Sequence, residues 1–178
     1  MIELPEVVRN RAIAAGVERW IDELPDLVAG LAADWEIEIG ALFDEGTEAL
    51  VAEAMMADGT SAILKVLVPR GAGVADHEAA VLRMAAGVGC PVLYRDDPDR
   101  GALLMERLGP SLFRLGLPWE QRLPILCDAA SMIWRPASDS GLPTGAEKAV
   151  WLMEFIAKVW TELDEPCAER SPARAPGQ

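Results

Sequence analysis

The chain has 178 residues, 51% of them hydrophobic and 25% charged, which suits one sizeable core or one small lobe with part of a second and excludes a disordered protein. The net charge of −13 is concentrated early: residues 1–60 hold 14 acidic and three basic side chains, a net of −11, and residues 61–178 carry the remaining −2. Such a chain repels a phosphate backbone, so no nucleic-acid partner is expected; the acidic surface either attracts a cationic substrate or simply keeps the protein soluble.

No apolar run approaches the about 20 residues of a membrane helix, and the first residues lack a basic stretch followed by an apolar one. The expectation is a soluble, cytoplasmic protein with no membrane partner. Cys90, Cys127 and Cys167 lie far apart, and with the single histidine, His77, they make no zinc-ligand spacing, so free or buried thiols are expected.

Residues 1–34 read as helical. Glu6 to Ala15 ends at Gly16, then Val17, Trp20, Ile21 and Leu24 recur at helical spacing until Pro25 interrupts and opens a further helix with Leu27, Val28 and Leu31. The period changes at Trp35: Trp35, Ile37 and Ile39 alternate with Glu36 and Glu38, as in a half-buried strand. Asp44 to Thr47 is a turn, Leu50 to Met56 a second strand, Asp58-Gly59 a hairpin signal, and Thr60 to Val68 a third strand. Pro69 to Gly73 is a loop, Val74 to Ala86 a helix closed by Gly87 and Gly89, and Val92 to Tyr94 and Leu103 to Met105 are short strands around the turn 97–101.

Beyond Gly109-Pro110 the chain turns helical. Pro118 suits a first helical position, with that helix running to about Ile133. Thr144-Gly145-Ala146-Glu147 fits a capping box ahead of the apolar stripe Ala149, Leu152, Met153, Ile156, Trp160 and Leu163. Residues 165–178, rich in proline, alanine and arginine, are expected to be a disordered tail. The six tryptophans fall mostly on apolar stripes and read as core.

Two charges stand out. Lys65 interrupts the apolar strand Ala62-Ile63-Leu64-Lys65-Val66-Leu67-Val68. A lysine there either snorkels to water from an edge strand or needs a partner, since burying an unpaired ammonium costs several kcal/mol. Glu78 falls on the apolar stripe 74, 78, 81, 82 and 85 of the following helix. Two misplaced charges of opposite sign, on a strand and on the next helix, explain each other if they meet. No Gly-x-x-x-x-Gly-Lys-Ser/Thr phosphate loop and no Gly-x-Ser-x-Gly elbow occurs.

A strand lysine paired with a helix glutamate resembles the arrangement in kinase nucleotide lobes, where the lysine orients ATP phosphates. Asp58-Gly59, Ile63-Leu64-Lys65-Val66, His77-Glu78 with Leu82 and Gly87-Val88-Gly89, and Leu103-Leu104-Met105-Glu106-Arg107-Leu108 together resemble the aminoglycoside phosphotransferase family. The likeness is to the branch that includes streptomycin-phosphorylating and hydroxyurea-resistance kinases, over about residues 20–163.

The resemblance implies an α+β fold, a five-stranded antiparallel sheet with one inward helix. Residues 1–34 would be N-terminal helices, 35–109 a kinase-like nucleotide-binding lobe, and 110–164 the start of a helical second lobe. It implies ATP as cofactor, with Mg²⁺ for the full-length enzyme, and transfer to a hydroxyl of a small-molecule substrate, a cationic antibiotic of the aminoglycoside type. Lys65 would hold phosphates, Glu78 would fix Lys65, Gly46 and Thr47 would lie near the phosphates, and the Glu106 carbonyl and Leu108 N–H would face adenine.

The likeness departs in two places. The phosphate-covering loop has one glycine, Gly46, and the family's His-x-Asp catalytic loop with its following Asn and metal-binding Asp is absent. The expectation is therefore a chain truncated before its catalytic loop, with no catalytic residue and inactive alone. The alternative is a non-catalytic or interaction domain that self-associates through exposed apolar helices.

Overall fold

The computed structural model describes residues 4–44, 46–71, 74–137 and 140–163. Helix α1 (Glu6–Ala14) leads into α2 (Glu18–Trp35), which runs unbroken through Pro25, against the expected interruption. Proline removes the bond from its own N–H to the Ile21 carbonyl, a loss of about 3 kcal/mol in a helix interior. Trp20, Leu24, Val28, Leu31 and Trp35 are buried on one face on both sides of it. Burial at about 1.5–3 kcal/mol for each such side chain outweighs that loss.

Trp35 also departs from expectation, closing α2 instead of opening a strand. Glu36 takes a left-handed conformation, φ 53°, and Arg95, sixty residues on, donates to the Trp35 carbonyl at 2.8 Å. One of the carbonyls that every helix C-terminus leaves unpaired is thereby occupied.

Five strands follow the expected order: β1 (Ile37–Leu42), β2 (Ala49–Met56), β3 (Ser61–Leu67), β4 (Leu93–Asp97) and β5 (Ala102–Glu106), with α3 (Val74–Ala85) between β3 and β4. They make one antiparallel sheet in the order β1-β2-β3-β5-β4. At the β2–β3 hairpin Gly59 takes φ 84° and the Thr60 amide donates to Asp58 Oδ1 at 2.9 Å, which fixes the turn. At the β4–β5 turn Arg100 reaches Asp97 and Asp34 of α2, each at 2.7 Å, tying the hairpin to that helix.

Alternation along β3 divides the core. Ala62, Leu64 and Val66 pack with Leu50 and Leu104 under Val8, Leu24, Val28 and Leu31 of α1 and α2. On the other face Leu67, Leu103 and Met105 meet Ala79 and Leu82 of α3. The buried positions of α3 are Ala75, Ala79, Leu82 and Ala85, so Glu78 lies at the margin of the stripe and not at its centre.

Helix α4 (Trp119–Ile133) has Pro118 as its N-cap and buries no residue fully. It sits beside the end of α3. Gly89 takes φ 75°, and a Cβ there would stand 2.8 Å from Met132 Cβ; Arg135 donates to the Met84 carbonyl at 3.2 Å. The chain divides into two compact units after Ser140. The second contains α5 (Gly145–Glu162), opened by the expected capping box between Thr144 and Glu147. The expected tail, residues 165–178, falls outside the described residues. No helix among the described residues is long and apolar enough to cross a membrane.

Candidate functional site

Lys65 stands on the central strand β3, opposite Val51 on one side and Leu103 on the other. It is not an edge-strand lysine, which removes the snorkelling alternative. Its Nζ meets Glu78 Oε1 at 2.5 Å, with the two side chains 25% and 31% exposed. Ala79 and Leu82 anchor α3 to the sheet and so hold the glutamate over the strand. The geometry suits a cation that must be held firmly while keeping one side open to an anionic ligand. A quarter of its surface in water lowers the cost of the charge, and the partner fixes its direction.

The same sheet face carries a cleft of about 620 Å³. Because paired residues share a face, Val51, Ile63 and Met105 lie on the Lys65 side of the sheet and form its floor. Phe43, Pro91, the segment Glu106–Pro110 and Arg114 complete the wall. Ile63 is two residues before Lys65, so an apolar platform and a cation sit next to each other on one strand. Lys65 and Glu78 are not themselves among the residues that line the cleft.

Glu106 and Leu108, expected to face a base through their backbones, line this cleft. The Glu106 carboxylate accepts from the Val92 amide at 3.1 Å, and its own amide donates to the Val92 carbonyl at 2.8 Å. Among the described residues the Leu108 amide has no protein partner. Gly46 and Thr47 line neither the cleft nor the Lys65–Glu78 pair. At Gly46 a Cβ would stand 2.8 Å from the Ala49 carbonyl oxygen, so the close approach of the β1–β2 turn to β2 already accounts for the glycine. No group of three or more His, Cys, Asp or Glu side chains converges among the described residues, and none is assigned here to Mg²⁺.

Several lining residues were given no role of their own from the sequence. Val51, Ile63 and Met105 look like ordinary strand residues until the register places them beside Lys65. Arg107 pairs with Glu53 of β2 at 2.5 Å, a contact across 54 residues that no local pattern signals.

No family model and no solved structure matches the chain. Three curated proteins do. A hydroxyurea phosphotransferase of Kitasatospora aureofaciens is 38% identical over 119 residues, 65% of this chain and 33% of that protein. Streptomycin 6-kinases of Streptomyces glaucescens and Streptomyces griseus are 34% and 36% identical over 116 and 115 residues, in each case 62% of this chain and 36% of the relative. The chain thus spans about a third of the length of the curated relatives it matches. Their names bear out the resemblance to the aminoglycoside phosphotransferase family.

Proposed function

We propose that the sheet, α3 and the segment after β5 form the kinase-like nucleotide lobe of a cytoplasmic ATP-dependent phosphotransferase that acts on a hydroxyl of a small antibiotic. The observation that carries the reading is the Lys65–Glu78 pair on the same sheet face as an apolar cleft edged by residues 106–110. Lys65 Nζ takes the phosphates, and Glu78 keeps it aimed when no ligand is present. Val51, Ile63 and Met105 stack on the base, while the Glu106 carbonyl and the Leu108 N–H meet its polar edge. Gly46 and Thr47 form the turn nearest the phosphates. The relatives' names support an antibiotic acceptor, and the strongly acidic first 60 residues favour a cationic one.

Phosphoryl transfer needs a group that accepts the acceptor hydroxyl's proton and a metal that neutralises charge on the phosphates. Mg²⁺ would supply the second. These 178 residues contain one histidine, His77, and no His-x-Asp sequence, so no base and no Mg²⁺ ligand is assigned within them. The chain by itself is therefore proposed to hold ATP without transferring phosphate. Binding by one side of a cleft leaves the nucleotide largely hydrated, which points to a dissociation constant of about 1 mM. Self-association is the partner proposal that goes with it, since Leu123, Leu126 and Met132 of α4 are exposed.

Calorimetric titration of ATP into the wild-type chain and into Lys65→Ala, with ADP release measured against hydroxyurea and a panel of aminoglycosides, tests the reading. Binding that is lost or weakened about tenfold in Lys65→Ala, with no turnover, is the expected result. Equal binding in the variant removes Lys65 from the site, and turnover by this chain alone refutes the assignment of roles.

A further inference from the structure

The segment after β5 is held from two sides. Glu106 turns back to Val92, just ahead of β4, through its carboxylate and its amide. The next residue reaches the other way, with the Arg107 guanidinium meeting Glu53 Oε1 on β2. In the sheet order β1-β2-β3-β5-β4 these anchors lie on opposite sides of β5, two strands away on the β2 side. Glu53 is directly opposite Ile63 on the cleft face of the sheet, and Arg107 and Ile63 both line the cleft. The ion pair therefore crosses the outer end of the cleft, from the segment that forms its wall to the strand that forms its floor.

Room for this crossing comes from β1. A Cβ at Gly40 would stand 3.0 Å from Glu53 Cβ and 3.3 Å from its Oε2. Glycine inside a strand weakens it, and here the missing side chain leaves Glu53 free to lie toward Arg107. The Leu108 amide, one residue further on, has no partner among the described residues, so no hydrogen bond of its own sets its position.

We propose that the Arg107–Glu53 pair is a latch that holds residues 106–108 in the conformation that presents the Leu108 N–H to the base of a nucleotide, so that it governs affinity at the base end of the cleft. The proposal rests on the nucleotide reading given above. Apparent affinity scales with the fraction of molecules whose site is competent, and an unlatched segment lowers that fraction. The two side chains are 44% and 34% exposed, so the pair is worth what a surface ion pair is worth, an affinity change of about two- to fivefold.

Adenosine, AMP, ADP and ATP titrated by ligand-observed NMR into wild type, Glu53→Gln, Lys65→Ala and the charge swap Glu53→Arg/Arg107→Glu separate the two ends of the cleft. The latch predicts that Glu53→Gln weakens all four ligands by the same factor. The swap regains most of it, and the difference shrinks at high salt. Lys65→Ala, acting at the phosphates, should instead lose more with each added phosphate. Uniform affinity in wild type and Glu53→Gln, with the Lys65 effect intact, overturns the latch alone. A Glu53 effect that grows with phosphate number also overturns it. If wild type binds none of the four, the nucleotide reading falls and the latch with it. Melting curves of each variant confirm that the comparisons are made on folded protein.

Discussion

Replacing Lys65 and Glu78 singly and together measures how far each depends on the other. Two unit charges about 4 Å apart attract by about 4 kcal/mol at the effective dielectric of a protein surface, but desolvation and side-chain ordering offset most of that. Exposed pairs net about 0.2–1 kcal/mol, and stripping a partner from a fully buried charge costs about 3–5 kcal/mol. With side chains 25% and 31% exposed, this pair falls between the limits. Glu78→Gln leaves an ammonium flanked by Val51 and Leu103 and should cost about 1–2 kcal/mol. Lys65→Met leaves a carboxylate at the margin of α3 that can turn to water, so about 0.5–1 kcal/mol is expected. The double variant Lys65→Met/Glu78→Gln has no charge to strand, and its loss should fall short of the sum by about 1 kcal/mol. Urea unfolding of the four proteins gives the coupling directly. Losses that add to within about 0.3 kcal/mol would mean that the two side chains are neighbours without being partners. The site would then have lost the observation on which it was built.

The pH dependence of the β4–β5 turn follows from Asp97. Partial burial pushes its carboxyl up, but the Arg100 amide at 2.9 Å and guanidinium at 2.7 Å outweigh that and hold it below its ordinary value. A depressed folded value gives stability that is complete above the unfolded value of about 3.9 and is lost as pH falls through the folded one. Asp97→Asn should therefore flatten part of the acid limb below about pH 4, and identical acid limbs in urea unfolding would rule this out. Two adjacent β3 positions should separate stability from binding. Leu64→Ala, fully buried under α1 and α2, should cost about 2–5 kcal/mol. Ile63→Ala, on the cleft floor, should cost less stability and weaken adenosine binding; the reverse ranking would place the cleft on the wrong face of the sheet.

Much of the lobe can be read from the sequence because its signals are local. Asp58-Gly59 between two alternating runs fixes a hairpin, and the alternation fixes which β3 side chains share a face. A lysine among apolar neighbours then needs an acid, and Glu78 is the misplaced one nearby. The two corrections before β1 come from signals that point both ways. Trp35 continues the helical series Val28, Leu31, Trp35 and equally the alternating series Trp35, Ile37, Ile39, and local sequence cannot choose between them. What decides is tertiary: Arg95 occupies the Trp35 carbonyl, and the left-handed Glu36 redirects the chain into β1. Pro25 is a breaker by local rule, yet the buried face on both of its sides is worth more than one lost hydrogen bond.

The candidate site divides along the same line between local and long-range information. Lys65 and Glu78, 13 residues apart, sit on consecutive elements, and the pair emerges from two anomalies in pattern. The cleft depends on register across β2, β3 and β5, so Val51 and Met105 acquire meaning only when the strands are aligned with Ile63 between them. Arg107 and Glu53 each look like a solvated surface charge from sequence, and their pairing depends on where the segment leaves β5 and on a glycine in β1. Gly46 carries two readings at once. A glycine between two strands invites a phosphate reading, whereas the Ala49 carbonyl beneath it supplies a structural reason for the residue whether or not a ligand binds. A Gly46 substitution would therefore disturb the β1–β2 turn before it reported on phosphate. Lys65, Ile63 and Glu53, three positions on one face of the paired strands β2 and β3, are the residues whose replacement can distinguish phosphate, base and latch.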